Sequence, residues 1–375
     1  MPLYIGLMSG TSLDAIDAAL VDCSAPAPRL LATRGGAMPE TLRRLLLRLC
    51  HAEGASFREL AEAEETFCRL QAQAVTELLE TSGTTITEIA AIGSHGQTLE
   101  HAPEGHAGGA PYTLQLDNPS RLAELTGISV VADFRRRDLA AGGQAAPLAP
   151  AFHQALFRHP EEWRLVLNLG GYANLTLLPP TGHPAAVLGF DSGPANALLD
   201  GWYQRHQGGR FDADGAWAAG GRVDEALLAR LLADDYFRRS PPKSTGREYF
   251  HLAWLERHLD GHEPPRDVQA TLAELTAASV ALAIEQLSTD LPEARPARLL
   301  PCGGGAHNPH LLSRLQARLP GLTLTPCAEL GWPADWLEAG AFAWLAYRRL
   351  NGLPGNLPSV TGAKGPRVLG GVYAA

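Results

Sequence analysis

Lysine is almost missing from this chain. Of its 31 basic side chains only Lys243 and Lys364 are lysines, and 40 acidic residues leave a formal net charge of −9. A chain of that sign is a poor match for nucleic acid or an anionic membrane as its main partner. Cysteine is scarce too. Five residues, odd in number and without a C-x-x-C pair, offer no disulfide or zinc framework and suit a reducing cytoplasm. No apolar run approaches the roughly 20 residues that cross a bilayer. The first residues lack a basic segment followed by an apolar core, so no signal peptide is expected. Three nucleotide devices are absent as well. There is no G-x-x-x-x-G-K-[ST], because "PPKSTG" at 241–246 lacks the preceding glycine pattern; no Rossmann fingerprint follows the first strand; no V-A-I-K or H-R-D pair occurs. Any ATP would therefore be held by backbone amides, hydroxyls and a metal ion.

What is present is glycine, proline and an alternating pattern. The chain has 375 residues, 45% of them hydrophobic, with 39 Gly and 28 Pro, which is more than one compact core accommodates and suits two domains. Residues 39–82 read as helical. "IAAIGSHGQTL" at 89–99 reads as a buried strand entering a Gly-rich loop, and "GISVVADF" at 127–134 as another strand. "RRRDLAAGGQAAPLAP" at 135–150 is a basic, Gly/Pro-rich connection and the natural place for a domain boundary. Beyond it, "RLVLNLGGYANLTLL" at 164–178 reads as strand, turn and strand, and 187–204 as a strand entering a loop and then a helix. Residues 268–288 read as a long helix. "ARLLPCGGGAHNPHLLSRLQARL" reads as strand, Gly loop and helix, with Asn308 as N-cap and Pro309 in the first turn. A last amphipathic helix spans 335–350, and a Gly/Pro-rich tail with one short strand follows. Strands alternating with helices imply an α/β protein.

The opening stretch "YIGLMSGTSLDAIDAALV" at 4–21 offers more than a turn needs. Backbone amides near Gly10, the hydroxyls of Thr11 and Ser12, and the carboxylate of Asp14 suit a phosphate with its magnesium ion; an ordinary turn with Ser/Thr hydrogen bonds also accounts for them. Residues 167–178 repeat the plan of strand, Gly turn and strand, with Gly170 and Gly171 at the turn. Two such hairpins followed by a Gly-rich strand–loop–helix at Gly303, Gly304 and Gly305 are laid out in the order of the actin, Hsp70 and sugar-kinase superfamily.

Eight blocks carry a closer resemblance. "GLMSGTSLDAIDAAL" (6–20), "GSHGQTLEH" (93–101), "DFRRRDLAAGGQAAPLAP" (133–150), "NLGGYANLT" (168–176), "FDSGPAN" (190–196), "PPKSTGREYF" (241–250), "CGGGAHNP" (302–309) and "EAGAFAWLA" (338–346) resemble the anhydro-N-acetylmuramic acid kinase family from end to end. The departures are Ala15, Ala145 and Ala195 for the family's usual Gly, Ser192 for Thr, and Asp117-Asn118-Pro119 for Gly-Asp-Pro, which bears on any role of that Asp.

The resemblance implies a two-domain actin-like ATPase (ribonuclease H-like) fold with an interdomain active-site cleft. The expected domains are 1–134 with 352–375, and 135–351. It implies ATP-dependent conversion of 1,6-anhydro-N-acetylmuramic acid to N-acetylmuramic acid 6-phosphate by a cytoplasmic homodimer in peptidoglycan recycling, with ATP and Mg2+ required. A levoglucosan-type anhydrosugar kinase is the alternative. A glycoside hydrolase using Asp191 and Glu338 without nucleotide leaves the phosphate-type loops with no purpose.

One carboxylate base suffices if O6 leaves toward phosphorus rather than taking a proton. The family pattern gives that role to Asp191; an Asx-turn or helix N-cap is the other reading of D-x-G-P. Glu338 either suits the start of the last helix or assists at the sugar. Gly10, Thr11, Ser12, Leu13, Asp14, Ala15, Ile16 and Asp17 are expected against the phosphates, with Asp14 on magnesium, Gly170, Gly171 and Asn174 facing them, and Gly303–Gly305 against adenosine. His95, Gln97 and Thr98 are expected at the sugar. One arginine of Arg135, Arg136 and Arg137 is expected on the lactyl carboxylate. His101 with His106, and His258 with His262, have metal-like spacing but no third ligand. The role of Lys243 stays open.

Overall fold

The two apolar runs that flank the opening loop are strands β1 (Leu3–Met8) and β2 (Ala15–Asp22), paired antiparallel from Leu3↔Asp22 to Met8↔Asp17. The computed structural model describes every residue except 1, 11, 12, 51–55, 107 and 242, and divides into two units, Met1–Leu156 with Trp336–Ala375, and Phe157–Asp335.

In the first unit the meander continues to β3 (Arg29–Ala37). The chain then returns beside β1 as β4 (Ile89–Ser94) and β7 (Val130–Ala132), both parallel additions. The C-terminal strand β13 (Gly371–Tyr373) closes the sheet, giving the order β13-β7-β4-β1-β2-β3. A small hairpin of β5 (Gln97–Ala102) and β6 (Tyr112–Leu116) stands apart. The expected helix over 39–82 is two helices, Glu40–Cys50 and Phe57–Ser82, the second begun by a Ser56/Glu59 capping box and ended by Gly83. They pack Leu42, Leu46, Phe67 and Leu78 onto Ile5, Ile16 and Leu20 of the sheet. The helix Leu337–Leu350 crosses the other face at backbone contact. A Cβ on Gly6 would stand 1.8 Å from the Ala339 carbonyl oxygen and one on Gly93 2.0 Å from that of Phe342. Only glycine permits that approach, and it sets where the start of the helix, with Glu338, rests.

The second unit repeats the plan. Strands β8 (Trp163–Leu169), β9 (Tyr172–Leu178) and β10 (Leu188–Pro194) form an antiparallel meander; β11 (Pro296–Cys302) and β12 (Thr323–Leu324) add parallel to β8. The order β10-β9-β8-β11-β12 is third-second-first-fourth-fifth, the same as β7-β4-β1-β2-β3 read from the other edge. This doubled ribonuclease H-like pattern is the α/β, actin-like fold that the layout implied. The long helix is Pro265–Asp290. It is apolar enough in length to cross a bilayer, yet 16 of its 26 residues are buried within the protein.

Two local expectations change. The segment 135–150 is not a linker. Asp138, fully buried, accepts hydrogen bonds from the Ala145 amide (2.8 Å), Asn356 Nδ2 (2.6 Å) and Thr361 Oγ1 (2.8 Å), which fastens this segment to the C-terminal tail inside the first unit. The division therefore falls after Leu156 and before Trp336 rather than at 134/135 and 351/352. No loop separates β10 from the next helix either: the strand runs through Pro194, and the helix Asn196–Gln207 starts at once.

Candidate functional site

In the second unit, four features meet at the carboxyl ends of β8, β10 and β11, the edge where open α/β sheets bind ligands. The Gly170–Gly171 turn joins β8 to β9. Its carbonyls accept the amides of Ala195, Asn196 and Ala197 (3.0–3.1 Å), so the turn is locked to the start of the Asn196–Gln207 helix. Asn196 Nδ2 donates to the Leu169 carbonyl at 2.8 Å. Gly303 (φ +73°) abuts the same strand end, and a Cβ there would fall 2.2 Å from Asn168 Oδ1. Gly304 differs: nothing lies nearer its Cβ position than 4.0 Å. Gly303 thus serves packing, whereas Gly170, Gly171 and Gly304 leave backbone open to a ligand. Asn308 caps the following helix through the Leu311 amide (3.0 Å) as expected.

Asp191 caps no helix. The cap position is Ala195, which makes no side-chain cap bond. The pairing of β10 with β9 shifts register between Asp191 and Gly193, an irregularity that re-aims side chains. One carboxylate oxygen accepts Asn174 Nδ2 at 2.8 Å; the other accepts the Thr245 amide at 2.9 Å. The backbone is clasped as well: the Asp191 amide donates to the Lys243 carbonyl (2.9 Å), and Tyr236 OH donates to the Asp191 carbonyl (2.8 Å). Burial pushes the Asp191 carboxyl above its ordinary value; the bonds from Asn174 and Thr245 oppose that, and the nearby charge of Glu248 adds to it. The result is a fixed, partly desolvated carboxylate, a suitable general base. Lys243 turns inward: its Nζ donates to the Tyr236 carbonyl (3.3 Å) and lies 5.0 Å from that ring, and burial lowers its ammonium to about 8. It orders the clasp.

In the first unit, His95 and Gln97 follow β4 and are both buried. Gln97 Oε1 accepts Ser9 Oγ at 2.7 Å, tying the β4–β5 corner to the opening loop. Thr98 Oγ1 accepts Gln115 Nε2 at 3.2 Å. Arg135 Nε donates to His95 Nε2 (3.0 Å) and its Nη1 to the Ala145 carbonyl (2.9 Å), which leaves Nη2 without a partner among the described residues. Because His95 Nε2 accepts, its proton sits on Nδ1, and burial holds the imidazole neutral, well below its ordinary range. Burial lowers Arg135 to about 10, opposed by the charges of Glu338 and Asp138. Glu338 is exposed to water yet crowded by protein; desolvation raises its carboxyl and the charge of Arg135 restrains it. Arg136 does not join this group. It pairs with Asp133 at 3.6 Å and lines a different cavity with Arg137. In the opening loop the Leu13 amide bonds to the Gly10 carbonyl (3.2 Å), and Asp14 is exposed just beyond. Ala15, Ile16 and Asp17 are already in β2, and the side chains of Leu13 and Ile16 are core, so only their backbone can face a ligand. Thr11 and Ser12 lie outside the described residues.

A family model, "Anhydro-N-acetylmuramic acid kinase", matches residues 2–375. A relative from Chromohalobacter salexigens is 65% identical over all of both chains. One from Shewanella amazonensis is 49% identical, over 100% of this chain and 99% of its own, and one from Xylella fastidiosa 52%, over 100% and 97%. All three carry that family's name. This chain belongs to the anhydro-N-acetylmuramic acid kinase family. Among solved structures, component A of the (R)-2-hydroxyglutaryl-CoA dehydratase of Acidaminococcus fermentans aligns over 94% of this chain and 100% of its own, at TM-score 0.48 and 12% identity. The family assignment rests on the sequence matches.

Several residues of this anhydro-N-acetylmuramic acid kinase family member have uses that sequence reading missed. Asn174, expected at the nucleotide, holds Asp191. Thr245 contributes a backbone amide, which no side-chain pattern reveals. Three of the four histidines with metal-like spacing are engaged elsewhere: His101 Nδ1 with Thr113 Oγ1 (3.0 Å), His106 with Glu100 (2.9 Å), and His258 with the Trp254 carbonyl (2.9 Å).

Proposed function

We propose that this chain uses ATP to open 1,6-anhydro-N-acetylmuramic acid and phosphorylate it at O6, giving N-acetylmuramic acid 6-phosphate. Family membership supports the activity. The observation that carries the mechanism is Asp191, a raised carboxylate fixed by Asn174 and Thr245 at the irregularity in the middle of β10, with no capping duty. Water attacks C1 as its proton passes to Asp191; the C1–O6 bond breaks; O6 takes the γ-phosphoryl group, and ADP remains. Arg135, with Nη2 unspent, is the arginine for the lactyl carboxylate, and Arg136 is withdrawn from that role. Glu338 supports the sugar side, and Gln97 steadies the opening loop through Ser9. The open backbone at Gly170, Gly171 and Gly304 receives the nucleotide.

Magnesium fits the residues present. Among the described residues no three His, Cys, Asp or Glu side chains gather as a cage. A nucleotide-bound Mg2+ keeps several waters and needs only one or two carboxylates beside the phosphates, a requirement that exposed Asp14 meets. When bound, the ion would neutralise phosphate charge.

The deciding experiment is mass spectrometry of products formed with ATP in oxygen-18 water. Label is expected at C1 and none in the transferred phosphate. Asp191→Asn should lose about 10²–10⁴ in turnover while ATP and sugar binding stay within a few-fold. Ring opening without ATP, label in the phosphate, or near-normal turnover in the variant refutes the mechanism.

A further inference from the structure

Arg136 and Arg137 open onto a cavity of about 770 Å³ that they share with Arg349 and Arg367. These four come from three places in the first unit. Arg136 and Arg137 lie on the short helix Arg136–Ala140, Arg349 is in the last turn of Leu337–Leu350, and Arg367 precedes β13. Among the described residues one carboxylate lines the space, Asp133, 3.6 Å from Arg136. Arg137, Arg349 and Arg367 make no ion pair among the described residues, and Nε of Arg349 is buried without a hydrogen-bond partner. Four guanidinium groups against one carboxylate make this concavity strongly positive in a chain of net charge −9.

Guanidinium groups do not relieve mutual repulsion by losing protons. A helix C-terminus favours cations, which accounts for Arg349 alone and gives no reason for Arg137 or Arg367 to face the same space. An anion with several oxygens accounts for all of them, because each planar fork can take two oxygens at once. The volume is too large for a single inorganic phosphate and falls within the roughly 300–1,000 Å³ of small-molecule sites. We propose that this cavity binds a small phosphorylated metabolite carrying two or more negative charges, apart from the residues assigned to the reaction.

The test is isothermal titration of the full chain, its nucleotide loops first saturated with a non-hydrolysable ATP analogue and magnesium. Inorganic pyrophosphate is titrated in one arm and N-acetylglucosamine 6-phosphate in the other; the tighter arm tells whether a bare polyphosphate or a sugar phosphate is preferred. One saturable site is expected in at least one arm, weakening as salt is raised. Arg349→Ala with Arg367→Ala should cost about 10-fold in affinity per guanidinium, about 100-fold in all, with initial turnover unchanged when neither pyrophosphate nor N-acetylglucosamine 6-phosphate is added. Arg349→Lys with Arg367→Lys keeps the charge, so it guards against a folding defect, and should lose several-fold with the forks. No binding in either arm, or wild-type affinity in both double variants, overturns the proposal.

Discussion

Replacing Asp117 by Asn should make the protein more stable at neutral pH and not at acid pH. Asp117 ends the β5–β6 hairpin segment and points inward, while its neighbour Asn118 caps the helix Pro119–Thr126 by accepting the Arg121 amide at 2.9 Å. Gln71 Nε2 donates to Ser94 Oγ (2.9 Å) nearby, but no hydrogen bond of good geometry reaches either Asp117 carboxylate oxygen, and both are buried. Desolvation raises the carboxyl from 3.8 to about 6, with weaker opposition from Ser94, Asn118 and Gln71. A carboxyl raised in the folded state favours folding while protonated; that advantage is complete below pH 3.8 and is lost as pH rises through about 6. Two pH units at about 1.4 kcal/mol each cap the loss at about 3 kcal/mol, and relaxation or water entry brings the expected value to about 1–3 kcal/mol. Asn keeps the shape and cannot ionise. Urea unfolding of both proteins at pH 4.5, 6 and 7.5 measures the difference, which should turn in favour of the variant between the first and last. A stability difference that stays constant with pH refutes the burial of an ionising Asp117.

Two further outcomes follow from the second unit. Since Asp191 must be ionised to act as a base and burial raises it, kcat/KM should fall on the acid side at a pH above the ordinary aspartate value of 3.8. Asn174→Ala removes a bond worth about 1.5–3 kcal/mol to the charged form, so pH–rate profiles should show that limb moved to higher pH; an unmoved limb refutes the role of Asn174. Gly303→Ala forces a left-handed residue and a Cβ 2.2 Å from Asn168 Oδ1, and should cost about 2–4 kcal/mol in urea unfolding. Gly304→Ala meets open space and should change stability by about 0.5 kcal/mol or less while raising KM for ATP; equal stability losses would refute the distinction.

The parts written locally in the chain were legible without coordinates. Apolar runs broken by Gly turns fix the β1–β2 and β8–β9 hairpins, because strand and turn preferences act over a few residues. The same holds for Asn308 and Pro309, where cap and first turn are neighbours in sequence. Eight motif blocks in order, spread over strands, loops and the last helix, are legible as short stretches of sequence and identify the family. What only the tertiary structure decided is which buried polar groups satisfy one another across long separations. Asp191 became a held carboxylate rather than a cap because an amide 54 residues away and an amide side chain 17 residues back reach it. Asp138 bonds to residues 218 and 223 positions ahead, which turned an apparent linker into core. Three consecutive arginines parted company: Arg135, just before the helix, was taken by His95 and the Ala145 carbonyl, and its two neighbours by another cavity. A buried donor or acceptor left unmatched costs about 1–3 kcal/mol. The partner that meets this demand is chosen by the folded backbone, and no local pattern of residue types encodes it.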